Sequence, residues 1–346
     1  MNRDLEKIIE AMIRAPSGDN LQPWQISIIN NEIRLSAKKG VDLSLYNTCD
    51  QATYFSLGAM VENATIAGEH LGLDVRPELS DQNEIRLTLK TNKQKELSDR
   101  GLYESIFKRS TNRYPYLKQK LSSSQKKYLM DAAKNSKTPL VKLVLLDAPN
   151  KELAAHISLN EQVLFENKYI HSSFFNALSW NASEPGKMPI TALALPLPGR
   201  LMFTLARTWK RMLFLNKLGL SKIVPAQTRL LYEAAGAYGA LTTADTSPLS
   251  FYEAGKVMER IWLTATQQEV AIQPLTGIVL LQHALAKDQN LPLSREHKHL
   301  IQKAYDAISS DFSIPINEKI LFVFRLGIAS KETSQTPRKS ISSFVN

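Results

Sequence analysis

The sequence predicts an α+β fold in which one structural unit occurs twice in a single chain. The segment Tyr54–Pro77 and the segment from Tyr252 to Pro274 superpose without a gap when shifted by 197 residues, which places Gly58 on Gly255. Both carry apolar residues at helical spacing, followed by a short extended apolar step before the proline. Each segment therefore predicts a long amphipathic helix and a strand.

A second internal similarity defines the two copies. The helix and strand pattern of Leu5–Ile29 resembles that of Gln125–Leu146. The second copy is longer, and prolines interrupt its regular pattern. We therefore assign residues 1–100 to the first copy and residues 101–346 to the second copy, with an insertion at about 148–235. A fused pair of this kind imitates a homodimer, so the chain can act as a monomer.

Local signals predict further elements of the second copy. Ser250 and Glu253 have the spacing of a capping box, which predicts that the second long helix begins there. The apolar run within Lys319–Gly327 predicts a buried strand. Residues 200–214 alternate basic and apolar side chains and predict one basic amphipathic helix inside the insertion.

Composition restricts the class of protein. The 346 residues are 43% hydrophobic and 22% charged, as is typical of a globular protein. No apolar run is long enough for a transmembrane helix, and the charged first residues do not resemble a secretion signal. Cys49 is the single cysteine, which excludes an internal disulfide. We expect a cytoplasmic protein without stable membrane insertion.

The positive net charge of the chain leaves three explanations open. The 43 basic and 33 acidic residues leave a net charge of +10, which suits an anionic ligand, an anionic surface or solubility alone. Zinc-finger spacing, a basic-zipper pattern and RNA-binding motifs are absent from the sequence, so no nucleic-acid partner is expected. The six histidines show neither metal-ligand nor triad spacing, so we predict no metal and no catalytic side chain.

Residues 15–24, APSGDNLQPW, form a polar turn between a helix pattern and a strand pattern. A turn of this kind leaves short side chains and backbone N–H groups free to face a ligand, although many such turns are structural. Pro23 predicts an extended conformation for Gln22, where the strand would start.

Two basic segments and one glycine turn are further candidates. Residues 108–116 read KRSTNRYPY, and residues 336–340 read TPRKS. Guanidinium groups suit phosphate because they offer forked, charge-assisted donors, although basic clusters also occur on solvated faces. The turn at residues 273–277, QPLTG, ends in a glycine, which permits close backbone approach to a planar ring.

Together these segments resemble the motifs of the nitroreductase-like FMN oxidoreductases, over about residues 1–147 and 236–346. Residues 15–24 resemble the APSxxNxQPW loop of that superfamily, and residues 109–113 resemble its RRSxR segment. The resemblance implies the nitroreductase-like fold, present twice, with FMN at the interface of the two copies. The FMN-binding residues that it implies are Ser17, Asn20, Gln22, Arg109, Ser110, Arg113, Pro274, Leu275, Thr276, Gly277, Arg338 and Lys339.

Each copy lacks what the other keeps. The first copy shows no arginine segment before its helix, and the second has Lys134–Pro139 in place of the polar loop. In the family, each FMN takes the two motifs from different subunits, so the resemblance implies one complete site in this chain. The R-x-T-N-R variant at Arg109–Arg113 is similar to that of the two-copy group typified by the mycobacterial Acg proteins.

Two features depart from that pattern. Gln51 stands where the related group usually has an arginine before the first long helix. The residue at the pyrimidine edge of the flavin is not assigned, and Asn160 and Asn167 are the candidates.

The resemblance implies an oxidoreductase that passes hydride from NAD(P)H through flavin N5 to an unidentified small acceptor. The alternative is an FMN-sequestering or stress-related flavin-binding protein with little or no turnover. A cyclodehydratase-type oxidase or a dehalogenating enzyme is a third possibility. For the insertion three interpretations stay open: a lid over the flavin, a helix packed on the core, or a segment that associates with a membrane surface.

Overall fold

The structure is a computed structural model, and it describes residues 3–29, 32–79, 84–91, 100–180 and 184–345. Its helices are α1 Arg3–Met12, α2 Gln51–His70, α3 Arg100–Ile106, α4 Ser123–Asn135, α5 Lys151–Glu166, α6 Lys168–Asn176, α7 Leu197–Ala206, α8 Trp209–Lys217, α9 Leu220–Glu233, α10 Pro248–Gln267, α11 Gly277–Lys287 and α12 Arg295–Asp311. Its strands are β1 Trp24–Ile29, β2 Glu32–Ala37, β3 Leu73–Leu79, β4 Ile85–Thr91, β5 Lys142–Asp147, β6 Leu178–Ser179, β7 Met188–Pro189, β8 Ala237–Thr243, β9 Ala271–Pro274 and β10 Lys319–Gly327. The α+β prediction is confirmed. Within the described residues, no helix combines the length and the apolar character needed to cross a membrane.

Two four-stranded antiparallel sheets organise the chain. The first has the strand order β1-β2-β4-β3, and the second has the order β5-β8-β10-β9. In both sheets the strands therefore follow the order first, second, fourth, third along the chain. Every residue of β8 is buried, because apolar clusters cover both faces of the second sheet.

Helices α2 and α10 cross at the centre of the molecule, and glycine makes the crossing close. A Cβ at Gly58 would lie 1.9 Å from the carbonyl oxygen of Tyr252, and a Cβ at Gly255 would lie 1.9 Å from that of Phe55. The contact is therefore reciprocal. Only glycine lets the two backbones touch in this way.

Helix α10 does not begin with the capping box expected at Ser250 and Glu253. The helix begins at Pro248, and the Oγ of Ser247 accepts a hydrogen bond from the N–H of Ser250 at 3.2 Å. The hydroxyl of Ser250 donates to Asp245 instead of capping the helix. Proline is favoured in the first turn, so the helix starts earlier than the Ser250–Glu253 spacing predicts.

The segment between β5 and β8 carries α5 to α9 and the short strands β6 and β7. Helix α9 packs on α5, and α8 packs between α7 and α9. The single basic helix predicted over residues 200–214 is wrong, because the chain breaks at Thr208 into α7 and α8. Thr208 is extended, with φ −100° and ψ 141°.

The C-terminal segment returns to the first half of the molecule. The N–H of Ile26 donates to the carbonyl oxygen of Phe344 at 2.9 Å, and Ile26 pairs in parallel with Val345. The Phe344 ring lies 5.8 Å from that of Trp24. This pairing carries residues 334–339 past the loop that follows α1.

Candidate functional site

The loop between α1 and β1 contains three residues with left-handed backbone. Asp19, Asn20 and Gln22 have φ angles of 46°, 61° and 56°. The extended conformation expected for Gln22 is therefore wrong, and the strand starts at Trp24. The N–H of Gln22 donates to Ser17 Oγ and its side-chain amide donates to the Asn20 carbonyl, both at 3.0 Å. These bonds offset the cost of a backbone conformation that glutamine rarely adopts.

The polar side chains of this loop hold the C-terminal segment. Asn20 Nδ2 donates to the carbonyl oxygen of Pro337 at 2.9 Å, and Asn20 Oδ1 accepts from Arg338. Gln22 Oε1 accepts from the N–H of Lys339 at 3.0 Å. Asn20 and Gln22 are both buried. The structure thus places two predicted FMN-binding residues as anchors for the segment that carries a third, Arg338.

The guanidinium of Arg338 closes the C-terminal end of α1. It donates to the carbonyl oxygens of Ile13, Arg14 and Ala15, each at 3.1 Å. Such carbonyls at a helix C-terminus attract cations. Burial lowers the pKa of Arg338 to about 9, and the positive charges of Arg109 and Arg14 add to the effect.

Arg109 lies beneath the same surface. It donates to the carbonyl oxygen of Arg14 at 2.6 Å, and its Nε lies 3.1 Å from Glu259 Oε1 on α10. Its guanidinium carbon lies 4.7 Å from the centre of the Trp262 ring. Burial raises the pKa of Glu259, and Arg109 opposes that rise. This buried pair ties the arginine segment to the central helix.

These groups surround a small cavity of about 60 Å³, which we call the arginine pocket. Sequence reasoning missed Arg14, whose Nε is buried without a hydrogen-bond partner among the described residues. The available signal was its position directly before the APSGDN loop. The side chains that define the pocket are Arg14, Ser17, Asn20, Arg109, Ser110, Arg113 and Arg338.

Asp19 and Arg113 separate the arginine pocket from two further cavities, since both residues line all three. Arg113 donates to the carbonyl oxygen of Ala192 at 3.1 Å. Burial raises the pKa of Asp19 to about 6, the nearby carboxyl of Asp42 adds to the rise, and Arg113 opposes it. Burial likewise lowers the pKa of Arg113, against the effect of Asp19. An ionisable pair therefore stands where the cavities adjoin.

The second cavity, the inner cleft, encloses about 200 Å³ between α2 and the second sheet. Phe55 of α2 stacks on Phe322 of β10 at 4.4 Å between ring centres. The cleft is mostly apolar, and both halves of the chain contribute to it. The residues that define it are Ser17, Asp19, Phe55, Thr111, Arg113, Trp262, Pro274, Thr276 and Phe322.

The turn at Pro274–Gly277 borders the inner cleft and is held rigidly. The N–H of Leu275 donates to the carbonyl oxygen of Val323 at 2.7 Å. Thr276 Oγ1 donates to the same carbonyl at 2.9 Å and accepts from the N–H of Val323 at 3.1 Å. A Cβ at Gly277 would lie 2.1 Å from Asn160 Oδ1, so a larger residue at the start of α11 would displace the Asn160 side chain.

The third cavity, the roofed chamber, encloses about 350 Å³ on the other side of this turn. One wall is the turn itself, and the opposite walls come from the segment between β5 and β8. That segment is tied to the loop after α1, because Asn20 donates to the carbonyl oxygen of Lys187 at 2.9 Å. The residues that define the chamber are Asn160, Glu161, Phe165, Leu193, Phe203, Val224, Leu231, Tyr232 and Gly277.

Glu161 is the acidic group of α5 that faces the roofed chamber. Its Oε1 accepts from the hydroxyl of Tyr232 at 3.0 Å. Its Oε2 is buried and has no hydrogen-bond partner among the described residues. Burial raises the pKa of Glu161 to about 7. No sequence motif marked this residue, since its position depends on the packing of α5 against α9.

Three residues named in the sequence analysis lie elsewhere or serve other contacts. The ammonium of Lys339 turns to the carbonyl oxygen of Leu21, at 3.5 Å, and does not line the arginine pocket. Asn167 caps α6 and donates to Pro292, whereas Asn160 lines the roofed chamber. Gln51 is buried at the start of α2 and links the preceding turn to α11.

The three adjoining cavities differ in the kind of group that each can hold. The arginine pocket can hold an anion through charge-assisted hydrogen bonds. The inner cleft can hold a flat apolar group, and the roofed chamber has the size of a small-molecule site. A ligand with an anionic end and a planar end suits this arrangement, with room beside it for a second molecule.

Several solved structures are similar to this chain. A nitroreductase with bound FMN from Desulfitobacterium hafniense DCB-2 is 13% identical, with a TM-score of 0.39 over 72% of this chain and 98% of that chain. The FMN and NADPH-dependent nitroreductase NfnB from Sphigopyxis sp. strain HMH is 10% identical, with a TM-score of 0.39 over 71% and 97%. Nitroreductase A from Vibrio parahaemolyticus RIMD 2210633 is 10% identical, with a TM-score of 0.37 over 70% and 74%.

Among curated proteins, the chain is similar to the uncharacterized protein MT1398 of Mycobacterium tuberculosis (strain CDC 1551 / Oshkosh). The two are 22% identical over 307 residues, which are 86% of this chain and 42% of MT1398. The chain thus spans about two fifths of the length of the curated relative it matches. No family model matches the chain.

Proposed function

We propose that this protein is an FMN-binding oxidoreductase of nitroreductase type. It would pass hydride from NAD(P)H through the flavin to a small acceptor. The observation that carries the proposal is the arginine pocket, which adjoins an apolar cleft through Asp19 and Arg113. The segments that resemble the family motifs meet at this place.

The residues present fit the phosphate of FMN. Arg14 Nε is buried without a partner among the described residues, and burial lowers the pKa of Arg338, with repulsion from Arg109 and Arg14 adding to the effect. A phosphate dianion would relieve this repulsion and supply the missing acceptor. We infer that Arg14, Ser17, Arg109, Ser110 and Arg338 bind it. Asn20 and Gln22 would act by holding the C-terminal segment in place.

The inner cleft fits the flavin ring system, and FMN when bound would supply a two-electron hydride carrier. The residues of this chain would bind and orient the ring between Phe55 and the turn at Pro274–Gly277. Because Leu275 and Thr276 already bond to β10, that turn would keep its position with or without ligand. The Oε2 of Glu161, which has no hydrogen-bond partner in the described part of the chain, would hold a proton near the acceptor.

We also propose that the chain is a fused pair of copies, with residues 1–100 and 101–346 as the two units. The identical strand order of the two sheets supports this proposal. The reciprocal contacts of Gly58 and Gly255 support it as well, since two-fold interfaces have this property. Two glutamates at equivalent positions of the copies give further support. Glu62 of α2 pairs with Arg260 on α10, and Glu259 of α10 lies beside Asn63 on α2.

The insertion would act as the lid of the site, because its residues form the walls of the roofed chamber opposite the turn. The alternative function, FMN sequestration without turnover, would require this lid to exclude a nicotinamide. The chamber of about 350 Å³ favours turnover, since small-molecule sites start at about this size. The monomeric state and the cytoplasmic location stay predictions.

The test is the visible spectrum of the purified protein, followed by separate anaerobic additions of NADH and NADPH. We expect a bound flavin whose absorbance at about 450 nm bleaches with one of the two donors. A bound flavin that stays oxidised with both donors would establish the sequestering alternative. A protein that binds no FMN after reconstitution would refute the site assignment altogether.

A further inference from the structure

The outer face of the insertion is unusually apolar for a protein surface. On α7, Leu197, Leu201 and Leu205 lie four residues apart and are 70%, 60% and 51% exposed. On α8, Phe214 is 62% exposed, and Leu218 directly after it is 65% exposed. Single exposed leucines need no explanation, but a clustered set marks an interaction surface.

Helix α9, which packs against α8, also carries exposed apolar residues. Ile223 and Leu230 are 49% and 65% exposed and lie seven residues apart, which places them on one face. The opposite faces of these helices are anchored, since Ala206, Met212 and Tyr232 are buried in the second core cluster. The exposed stripes therefore belong to helices whose inner faces are already packed.

The charge of the same segment is almost entirely positive, although Arg229 pairs with Glu233 at the end of α9. Between Glu184 and Glu233 the sequence contains no acidic residue. It contains eight basic residues, Lys187, Arg200, Arg207, Lys210, Arg211, Lys217, Lys222 and Arg229. This stretch therefore accounts for most of the net charge of +10. Lys210, Lys217 and Lys222 are exposed and form no ion pair within the part of the chain that the structure describes.

We propose that the outer face of α7, α8 and α9 docks this protein on an anionic lipid bilayer. Leucine and phenylalanine would enter the boundary between headgroups and acyl chains, and the lysines and arginines would bind the anionic headgroups. A second copy of this chain fits less well, because a two-fold contact would bring the same basic residues together.

The experiment is flotation of the purified full chain with vesicles. One set contains phosphatidylcholine alone, and the other contains equal amounts of phosphatidylcholine and phosphatidylglycerol. We expect binding to the anionic vesicles, weaker binding at high salt, and little binding to phosphatidylcholine alone. This readout does not depend on flavin, so its failure and the failure of the proposed function are distinguishable.

Two variants separate the apolar and the charged contributions. Leu201→Gln with Phe214→Gln removes apolar contact, and Lys210→Glu with Lys217→Glu reverses charge; each should lower binding at least about tenfold. The matched control is Leu117→Gln with Ile316→Gln, which changes exposed apolar residues outside the insertion and should bind as the wild type does.

Three outcomes would overturn the proposal. The first is no flotation with anionic vesicles at low salt. The second is equal binding by the glutamine variant and the wild type. The third is a dimer in sedimentation that the glutamine variant abolishes, without vesicle binding, since the face would then be a contact between copies.

Discussion

Three residues with left-handed backbone explain how the site is assembled at the residue scale. Asp19 lines all three cavities, while Asn20 and Gln22 bind the returning C-terminal segment. Their roles therefore differ although they are neighbours in sequence. The composition of the loop indicated a ligand-facing turn. It did not indicate which side chains would bind protein, because the partners lie more than 300 residues away.

Arg14 is the residue whose substitution tests the arginine pocket most directly. Arg14→Gln keeps the backbone carbonyl that Arg109 and Arg338 use, and removes a guanidinium with a buried, unpartnered Nε among the described residues. We expect FMN affinity to fall about 10- to 100-fold, as for loss of a charge-assisted hydrogen bond. Quenching of FMN fluorescence measures the dissociation constant.

The matched control for this change is Arg76→Gln. Arg76 is an exposed arginine on β3 that pairs with Asp74 and lines none of the three described cavities. Its substitution should leave FMN affinity unchanged. Equal affinities for Arg14→Gln and the wild type would remove Arg14 from the proposed phosphate site.

Glu161 predicts a specific pH dependence of stability. Because burial raises its pKa to about 7, the folded protein holds this proton more tightly than the unfolded chain does. The free energy of unfolding therefore falls as pH rises from the ordinary glutamate pKa, about 4.5, through about 7. Glu161→Gln removes this loss and should be about 2–3 kcal/mol more stable than the wild type at about pH 8.

Urea unfolding of both proteins between about pH 5 and about pH 8 measures this difference. Glu152→Gln, which changes an exposed carboxyl on the same helix and keeps Glu161, is the control and should show the same dependence of stability on pH as the wild type. If the advantage of Glu161→Gln is as large at about pH 5 as at about pH 8, protonation is not its cause.

At the scale of helices and strands, periodicity and capping predict which elements form, but they do not predict every point at which an element begins or ends. The apolar stripes correctly predict α2, α10 and β10. The same reasoning overlooks the break at Thr208, because a continuous stripe over residues 200–214 is compatible with one helix or with two. The extended backbone of Thr208, with φ −100° and ψ 141°, shows that the chain forms two helices here.

The crossing of α2 and α10 predicts an unusual response to alanine. Gly→Ala inside a helix normally stabilises by up to about 1 kcal/mol. Here Gly58→Ala would place a Cβ against a backbone carbonyl, so we expect destabilisation of about 3 kcal/mol. Gly255→Ala should behave alike, because the contact is reciprocal.

Gly199→Ala serves as the matched control in a helix. Its Cβ would have its nearest neighbour at 3.4 Å, an ordinary contact, so its stability should equal or slightly exceed that of the wild type. Thermal unfolding compares the three variants. If Gly58→Ala is as stable as Gly199→Ala, the close crossing is not a feature of the molecule in solution.

At the scale of the whole molecule, the site depends on both halves of the chain. The loop after α1 and helix α2 meet the arginine segment, the turn before α11 and the C-terminal segment around the same cavities. Neither half alone contains all of these parts. The two sheets share one strand order, but the motifs that meet here occur once each.

This asymmetry predicts the stoichiometry of the flavin. We expect one FMN per chain, since the second copy has Lys134–Pro139 where the first has its polar loop. The ratio of flavin absorbance to protein concentration after denaturation measures it. Two flavins per chain would show that a second complete site exists and would contradict the proposed loss of one motif from each copy.

The sequence by itself determined the α+β class, the long helices and the segments that converge on the site, because these depend on local periodicity and on motif composition. The tertiary structure alone decided that Arg14 and Glu161 belong to the cavities, that Asn20 and Gln22 bind protein, and that Lys339 turns away. These outcomes depend on contacts between residues far apart in the chain. Burial and neighbouring charges arise only when the elements pack, so no local pattern can encode them.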